Sequence, residues 1–314
     1  MRFALVFAQL VGCVAAVAAL ADSAVAQGDG AVRGLYHFVH STADAERSFA
    51  FYQGVLGIEL ARSPFAPVPS ADTAPPRIVP RADARGDPLV SDLTDTKGAR
   101  FRTVFMHAPN TSFGLELSEF LDISRIGRTA NPWDPGASMI EFAVRDPDGY
   151  LIRLRQGSAA AIATASPGQI VGTRIEITVA STAASLAFYR DLLHLEVHES
   201  RSTVESELRS YGLDRGTLTK TPVVIPGAGT GLMLLQFSVP KGVARPQPFH
   251  WKIQDLGSPQ LQLEVRDLDT LIGRTRAAGY RFLSVGAKPI RRPFGRFVFA
   301  IGPDAELVEY VEPN

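Results

Sequence analysis

One stretch of this sequence occurs twice in related form, and that repeat constrains the fold more than any other feature. His37-Phe38-Val39-His40-Ser41-Thr42-Ala43-Asp44 runs into AERSFAFYQGVLGIEL, and Arg174-Ile175-Glu176-Ile177-Thr178-Val179-Ala180-Ser181 runs into TAASLAFYRDLLHLEV. Each copy opens with a strand-like run. Asp44 and Ser181 then stand where a helix would begin, and their side-chain oxygens suit them to accept the free amides of a first helical turn. Phe49, Tyr52 and Leu56 share one helical stripe, as do Ser185, Tyr189 and Leu193 less cleanly. A β-type run follows each helix. Strands are then predicted in FRTVFMHAP and FGLELSEF, and again in TPVVIPGA and GLMLLQFS.

A second repeat lies further along each half. Met139-Ile-Glu-Phe-Ala-Val144-Arg145-Asp146 resembles Gln260-Leu-Gln-Leu-Glu-Val265-Arg266-Asp267. In the second half, Asp267 opens an amphipathic helix, LDTLIGRTRAAGY, and two strands joined at Gly302-Pro303-Asp304 follow. In the first half Asp146 is followed at once by Pro147-Asp148-Gly149, so one helix and about two strands are missing there. Pro-Asp-Gly suits a tight hairpin. The competing reading places a helix over Pro147–Gln156, because Pro147 would fit its first turn. Two long segments interrupt the repeats. Ser63–Gly98 holds seven prolines and is expected to be an irregular surface excursion that could cover a site. Ser158–Gln169 is made of small residues and reads as a linker.

The predicted organisation is a leader over 1–26, a first half over 32–157 with a truncated second module, a linker over 158–170 and a second half over 171–314. The leader has Arg2, an apolar run over Phe3–Leu20 and the small-x-small signal Ala24-Val25-Ala26. That pattern predicts export to the periplasm or beyond, with no stable membrane span once the leader is removed. Leu10-Val11-Gly12-Cys13 resembles a lipoprotein cleavage box, although the apolar run continues past it. Cys13 is the single cysteine, so the mature chain is expected to have neither a disulfide nor a thiolate metal site. Lysine plus arginine and aspartate plus glutamate balance at 32 each, which argues against nucleic acid as a partner.

The strand–Asp/Ser–AFY–LG/LH pattern used twice, GLEL at 114–117, DPGASMIEFAVRD at 134–146 and the PDG and PDA turns resemble the vicinal-oxygen-chelate superfamily. That superfamily includes glyoxalase I, extradiol dioxygenases and fosfomycin- and bleomycin-resistance proteins. The resemblance implies an α+β fold in which βαβββ modules pair and their curved sheets form cups. It implies a small-molecule ligand or substrate, and a divalent metal ion held by residues from the first and last strands of each module. The activity it implies, if any, is that of a metal-dependent lyase, isomerase or dioxygenase. Glutathione as cosubstrate is disfavoured by the expected export. A homodimer is compatible with the sheet edges that an eroded half would expose.

Carried across residue by residue, the implied ligand positions fall on His37, Glu116, Met139 and Arg153 in the first half, and on Arg174, Met233, Gln260 and Glu309 in the second. His37, Glu116 and Glu309 are suitable metal ligands. Met139 is a soft donor, and arginine has no acceptor to offer. Taken half by half, neither set reaches three nitrogen or oxygen ligands. An inward Glu116 needs a partner, because an unpaired buried charge costs several kcal/mol. Either a metal shared with His37 or the guanidinium of Arg153 would supply one, and Arg174 could pair with Glu309. The alternative functions are therefore a metal-free binder, in which Arg153 and Arg174, with Gln260, hold an anionic ligand bidentately, and a structural protein with filled cups. His40 has the opposite strand parity from His37 and is expected to face away from the cup. Arg291, Arg292 and Arg296 with Phe294 and Phe297 read as a solvated hairpin or as a basic aromatic cluster, and His250-Trp251 as packing or a pocket rim.

Overall fold

The computed structural model describes residues 31–61, 77–108, 113–127, 134–135, 138–140, 144–145, 151–152, 173–203, 205–228, 230–240, 252–255 and 258–314. Four successive modules are visible. The first comprises β1 (Val32–Ser41), α1 (Ala45–Leu56), β2 (Glu59–Leu60), β3 (Arg85–Gly86), α2 (Pro88–Thr94), β4 (Arg100–His107) and β5 (Gly114–Leu121). The second retains β6 (Ser138–Ile140), β7 (Val144–Arg145) and β8 (Leu151–Ile152). The third has β9 (Arg174–Thr178), α3 (Thr182–Leu186, continued by a π turn over Ala187–Leu192), β10 (Glu196–Val197), β11 (Arg201–Ser202), α4 (Glu205–Ser210), β12 (Thr217–Val224) and β13 (Gly231–Ser238). The fourth has β14 (Pro259–Val265), α5 (Leu268–Ala277), β15 (Arg281–Phe282), β16 (Ile290–Arg292), β17 (Gly295–Ile301) and β18 (Leu307–Pro313).

Local chemistry accounts for the repeated elements. The Asp44 carboxylate accepts from the Arg47 amide at 2.9 Å, and the Ser181 hydroxyl accepts from Ala184 at 3.3 Å. Both are the predicted N-caps. Gly57 closes α1 in the left-handed conformation, φ 67°, which a side chain rarely adopts. The buried face of α1 is Ala45, Ser48, Tyr52 and Leu56, close to the predicted stripe. One expectation is corrected. The proline-rich excursion is not irregular throughout, because Pro88–Thr94 forms a helix. Asp87 caps the amides of Leu89 and Val90, and Pro88 occupies the first turn, where a missing N–H costs nothing. In the second module β7 pairs antiparallel with β8, Val144 opposite Ile152. That is hairpin geometry rather than a continuous helix. The turn itself, the linker and the leader lie outside the described residues.

The modules pair across the sequence halves rather than within them. One sheet runs β15-β17-β18-β14-β1-β5-β4-β2, and the other runs β10-β12-β13-β9-β6-β8-β7. The first module therefore shares a sheet with the fourth, through antiparallel β1 and β14, and the second shares one with the third, through β6 and β9. Strands β1 and β5 run parallel, as do β14 and β18. Both sheets contribute to one apolar core, in which Phe38, Leu115, Leu263, Ile177, Tyr189 and Tyr310 are among the buried members. Fully burying side chains of this size contributes about 1.5–3 kcal/mol each. One buried charge cluster on the first sheet is compensated: Arg102 donates to Glu119 at 2.7 Å and also pairs with Glu46, and Arg81 reaches Glu119 as well.

Candidate functional site

The cross-half pairing regroups the predicted residues. β1 carries His37, β5 carries Glu116, β14 carries Gln260 and Gln262, and β18 carries Glu309. All five belong to the sheet shared by the first and fourth modules. His37 stands opposite Gln262 across the β1–β14 ladder, and Gln262 stands beside Glu309 across β14–β18. Glu116, Gln260, Gln262 and Glu309 line one cavity of about 300 Å³. His37 lies at the same face. Its imidazole packs edge-on to Phe105, another lining residue, with ring centroids 5.5 Å apart. Gly114 makes room for it, since a Cβ there would come within 2.4 Å of the His37 Cδ2 atom. The glycine of the GLEL motif is thus required by the approach of the imidazole.

A bulge in β1 between Leu35 and His37 turns Tyr36 toward this face as well. Burial raises the pKa of its phenol, and the charges of Glu264, Glu309 and Glu116 raise it further.

The floor of the cavity is a cluster of buried acids. The Glu116 carboxylate accepts from the Ser118 hydroxyl at 3.0 Å and from the Gln262 amide at 3.2 Å. Burial nevertheless pushes Glu116 up to about 7, the two hydrogen bonds opposing it. Glu309 is held well above the usual carboxylate range by burial and then by the charge of Glu116, with Gln262 opposing. Burial lowers His37 to about 4, again against Gln262, so its imidazole is neutral at physiological pH. The Nδ1 atom of His37 and the Oε1 atom of Gln262 are buried without a hydrogen-bond partner. Two carboxyls, a neutral imidazole and a carbonyl oxygen with nothing to accept from form a donor set suited to a divalent cation. The side chains do not converge on a single point: among the described residues, no three of His, Cys, Asp and Glu are grouped closely enough to hold an ion.

Apolar residues make the walls. Phe101, Phe105 and Phe120 come from the first module, Phe294, Phe297 and Phe299 from the fourth. α2 closes one side with Val90, Leu93 and Thr94, as expected of an excursion that covers a site. It is fastened by Ser284, whose hydroxyl donates to the Leu93 carbonyl at 2.7 Å, and by an ion pair between Asp87 and Arg292. The basic aromatic cluster is therefore divided. Arg292, Phe294 and Phe297 line the cavity, Arg291 is exposed, and Arg296 pairs with Asp269 and Glu312 on the outside.

Other predicted residues fall elsewhere. Arg174 is on β9 of the second sheet, so the expected pair with Glu309 in one cup is not made; the groups that act on Glu309 are Glu116 and Gln262. Arg153 and His250-Trp251 lie outside the described residues, as does the side chain of Met139. Met233 packs in an apolar cluster with Leu208, Tyr211, Leu213, Leu218 and Leu235. That cluster covers the corresponding face of the second sheet, where Tyr211 donates to buried Glu176 at 3.2 Å. His40 faces away from the cavity as its parity predicts, buried with its Nε2 atom 3.0 Å from the Tyr52 hydroxyl. Sequence reasoning passed over Gln262 and Tyr36. Gln262 was within reach, because it shares the face of Gln260 two residues away. Tyr36 was not, because the bulge that turns it leaves no periodic trace.

Comparison with known proteins agrees with this architecture. Residues 34–154 match the model of the Glyoxalase/Bleomycin resistance protein/Dioxygenase superfamily. Glyoxalase I from Zea mays is similar in structure with a TM-score of 0.51 at 17% sequence identity, over 89% of this chain and 92% of that one. A glyoxalase family protein from Bacillus cereus matches at 20% identity with a TM-score of 0.38, over 44% of this chain and 90% of its own. No curated protein matches by sequence. Residues 34–154 are thus a glyoxalase/bleomycin resistance/dioxygenase superfamily domain, and the paired modules give the chain the glyoxalase-like α+β fold.

Proposed function

We propose that the cavity between the first and fourth modules binds a small organic molecule and transforms it with the help of a divalent cation at its floor. The observation that carries this reading is the grouping of two buried carboxyls, Glu116 and Glu309, with a half-buried imidazole and a buried amide, His37 and Gln262, on one face of the sheet. Burial holds both carboxyls toward the protonated form, and a bound cation would displace those protons. His37, Glu116, Gln260 or Gln262, and Glu309 would hold the ion once their side chains, which stand apart in this structure, close on it. When bound, it would polarise a substrate oxygen as a Lewis acid. The chain's own groups have separate tasks. Glu116 would meet the ion as a carboxylate. The Ser118 hydroxyl and the Gln262 amide orient that carboxyl. The phenylalanine walls exclude water and strengthen every polar contact at the floor.

The test is metal content of the purified protein, together with thermal unfolding in added Mn, Fe, Ni or Zn. Bound metal, or a melting temperature raised by several degrees and no longer responsive in His37→Ala, is expected. A protein that carries no ion and is indifferent to all four would overturn the metal-assisted reading. The hydrogen bond from Gln262 to Glu116 favours a second reading, a metal-free binder whose floor is satisfied by protein donors alone. An open cavity argues against a purely structural role for this cup. Export is a further part of the proposal, supported by the leader over 1–26. Fractionation of cells expressing the full chain should recover a processed protein outside the cytoplasm.

A further inference from the structure

The chemistry of the cavity walls narrows the class of molecule that fits, a step that rests on the reading of this cavity as the binding site. Six phenylalanines and the side chains of Ile253, Ile290 and Leu93 surround a floor of hydrogen-bonding groups. Among the described lining residues there is one cation, Arg292, on the β16–β17 hairpin next to Phe294. It is half-buried and gives one amino group to Asp87, the N-cap of α2. A guanidinium carries five N–H donors in a planar fork, so one contact with Asp87 leaves donors that can turn to a ligand. Asp87 belongs to the segment that closes the cavity and serves as the internal anion for Arg292.

We propose that the cavity takes a flat, largely aromatic molecule bearing one anionic group, with the ring system against the phenylalanine walls and the anion on Arg292. Further anionic groups directed at the walls would meet phenylalanine faces, where an uncompensated charge costs several kcal/mol. The ligand anion and the Asp87 carboxylate compete for the same guanidinium, so removing the charge of Asp87 while keeping its capping oxygen should favour the ligand. Asn caps helices about as well as Asp, which makes Asp87→Asn a clean substitution.

The experiment uses two fluorescent probes on the intact protein: anilinonaphthalene sulfonate, which is aromatic and anionic, and N-phenylnaphthylamine, its neutral counterpart. Both should bind, and both should be lost in Thr103→Trp, which fills the cavity. Arg292→Gln should weaken the sulfonate by about tenfold or more and leave the neutral probe within about twofold, because a charge-assisted bidentate contact is lost. Asp87→Asn should tighten the sulfonate alone. If both probes bind the wild type but Arg292→Gln and Asp87→Asn leave their ratio unchanged, the proposal is overturned while the cavity stands as a binding site. If neither probe binds, or Thr103→Trp leaves binding intact, the cavity reading fails and this proposal falls with it.

Discussion

Single side chains at the cavity floor make the sharpest demands on the sequence. His37 fits only because position 114 lacks a side chain. Gly114→Ala should therefore push the imidazole off its position while the strand still pairs. The expected result is a folded protein whose thermal response to added metal is weakened toward that of His37→Ala, read by thermal unfolding with and without metal. A second residue-level case lies away from the cavity. Glu306 is buried and accepts from the Tyr189 hydroxyl at 2.9 Å, and burial followed by the charge of Asp304 raises it to about 7. The folded state thus holds a proton that the unfolded chain, with an ordinary pKa near 4.5, releases first. This group's contribution to stability is full below about pH 4.5 and is lost as pH rises toward 7. Glu306→Gln should flatten the fall in denaturant midpoint across that interval, whatever it does to the absolute value. An unchanged slope would show that Glu306 ionises normally. His37, Glu116 and Glu309 were all legible in the sequence as ligand types. What was not legible was that they share one sheet, since that depends on strand pairing over more than two hundred residues.

At the scale of elements, the repeated helix caps were readable because they depend on chemistry within four residues. Asp44 and Ser181 needed nothing else. α2 was misread because seven prolines dominated the segment, and proline opposes helix only away from the first turn. Asp87 followed by Pro88 is itself a helix start, and it was local enough to have been seen. The helix depends on that cap and on Ser284 beneath it. Asp87→Ala removes the cap and the ion pair to Arg292 together. It should cost about 1–2 kcal/mol of local stability, visible as faster amide hydrogen exchange over 88–94, with β4 and β5 exchanging as in the wild type. The hairpin from β17 to β18 makes a different demand. A Cβ at Gly302 would reach within 2.3 Å of the Glu306 carboxylate. Gly302→Ala should destabilise the protein by about 1–3 kcal/mol through displacement of a buried polar group, measured by chemical denaturation.

For the molecule as a whole, the sequence repeat gave the number and order of modules but not their partners. Strand periodicity is the same whichever neighbour a strand acquires, so β14 was equally suited to a partner in its own half and to β1. The observed choice means that neither half closes a cup alone. Fragments covering 1–157 and 171–314 each carry an unpaired inner edge, at β1 and β14 respectively, and exposed edges of this kind aggregate. Each fragment expressed separately should be insoluble or associate with itself. Coexpressed, they should form a one-to-one complex by size-exclusion chromatography that binds the probes of the intact protein. Two soluble monomeric halves would contradict the pairing.

The same exchange of partners sets an order of events during synthesis. His37 leaves the ribosome early, but its neighbours Gln262 and Glu309 follow only after most of the chain has been made. Domains that close on nearby residues can fold as they emerge. This cavity cannot, because its floor joins β1 to β18, and such distant contacts are slow to form. The nascent chain should therefore stay open at its first module until residue 313 has been released.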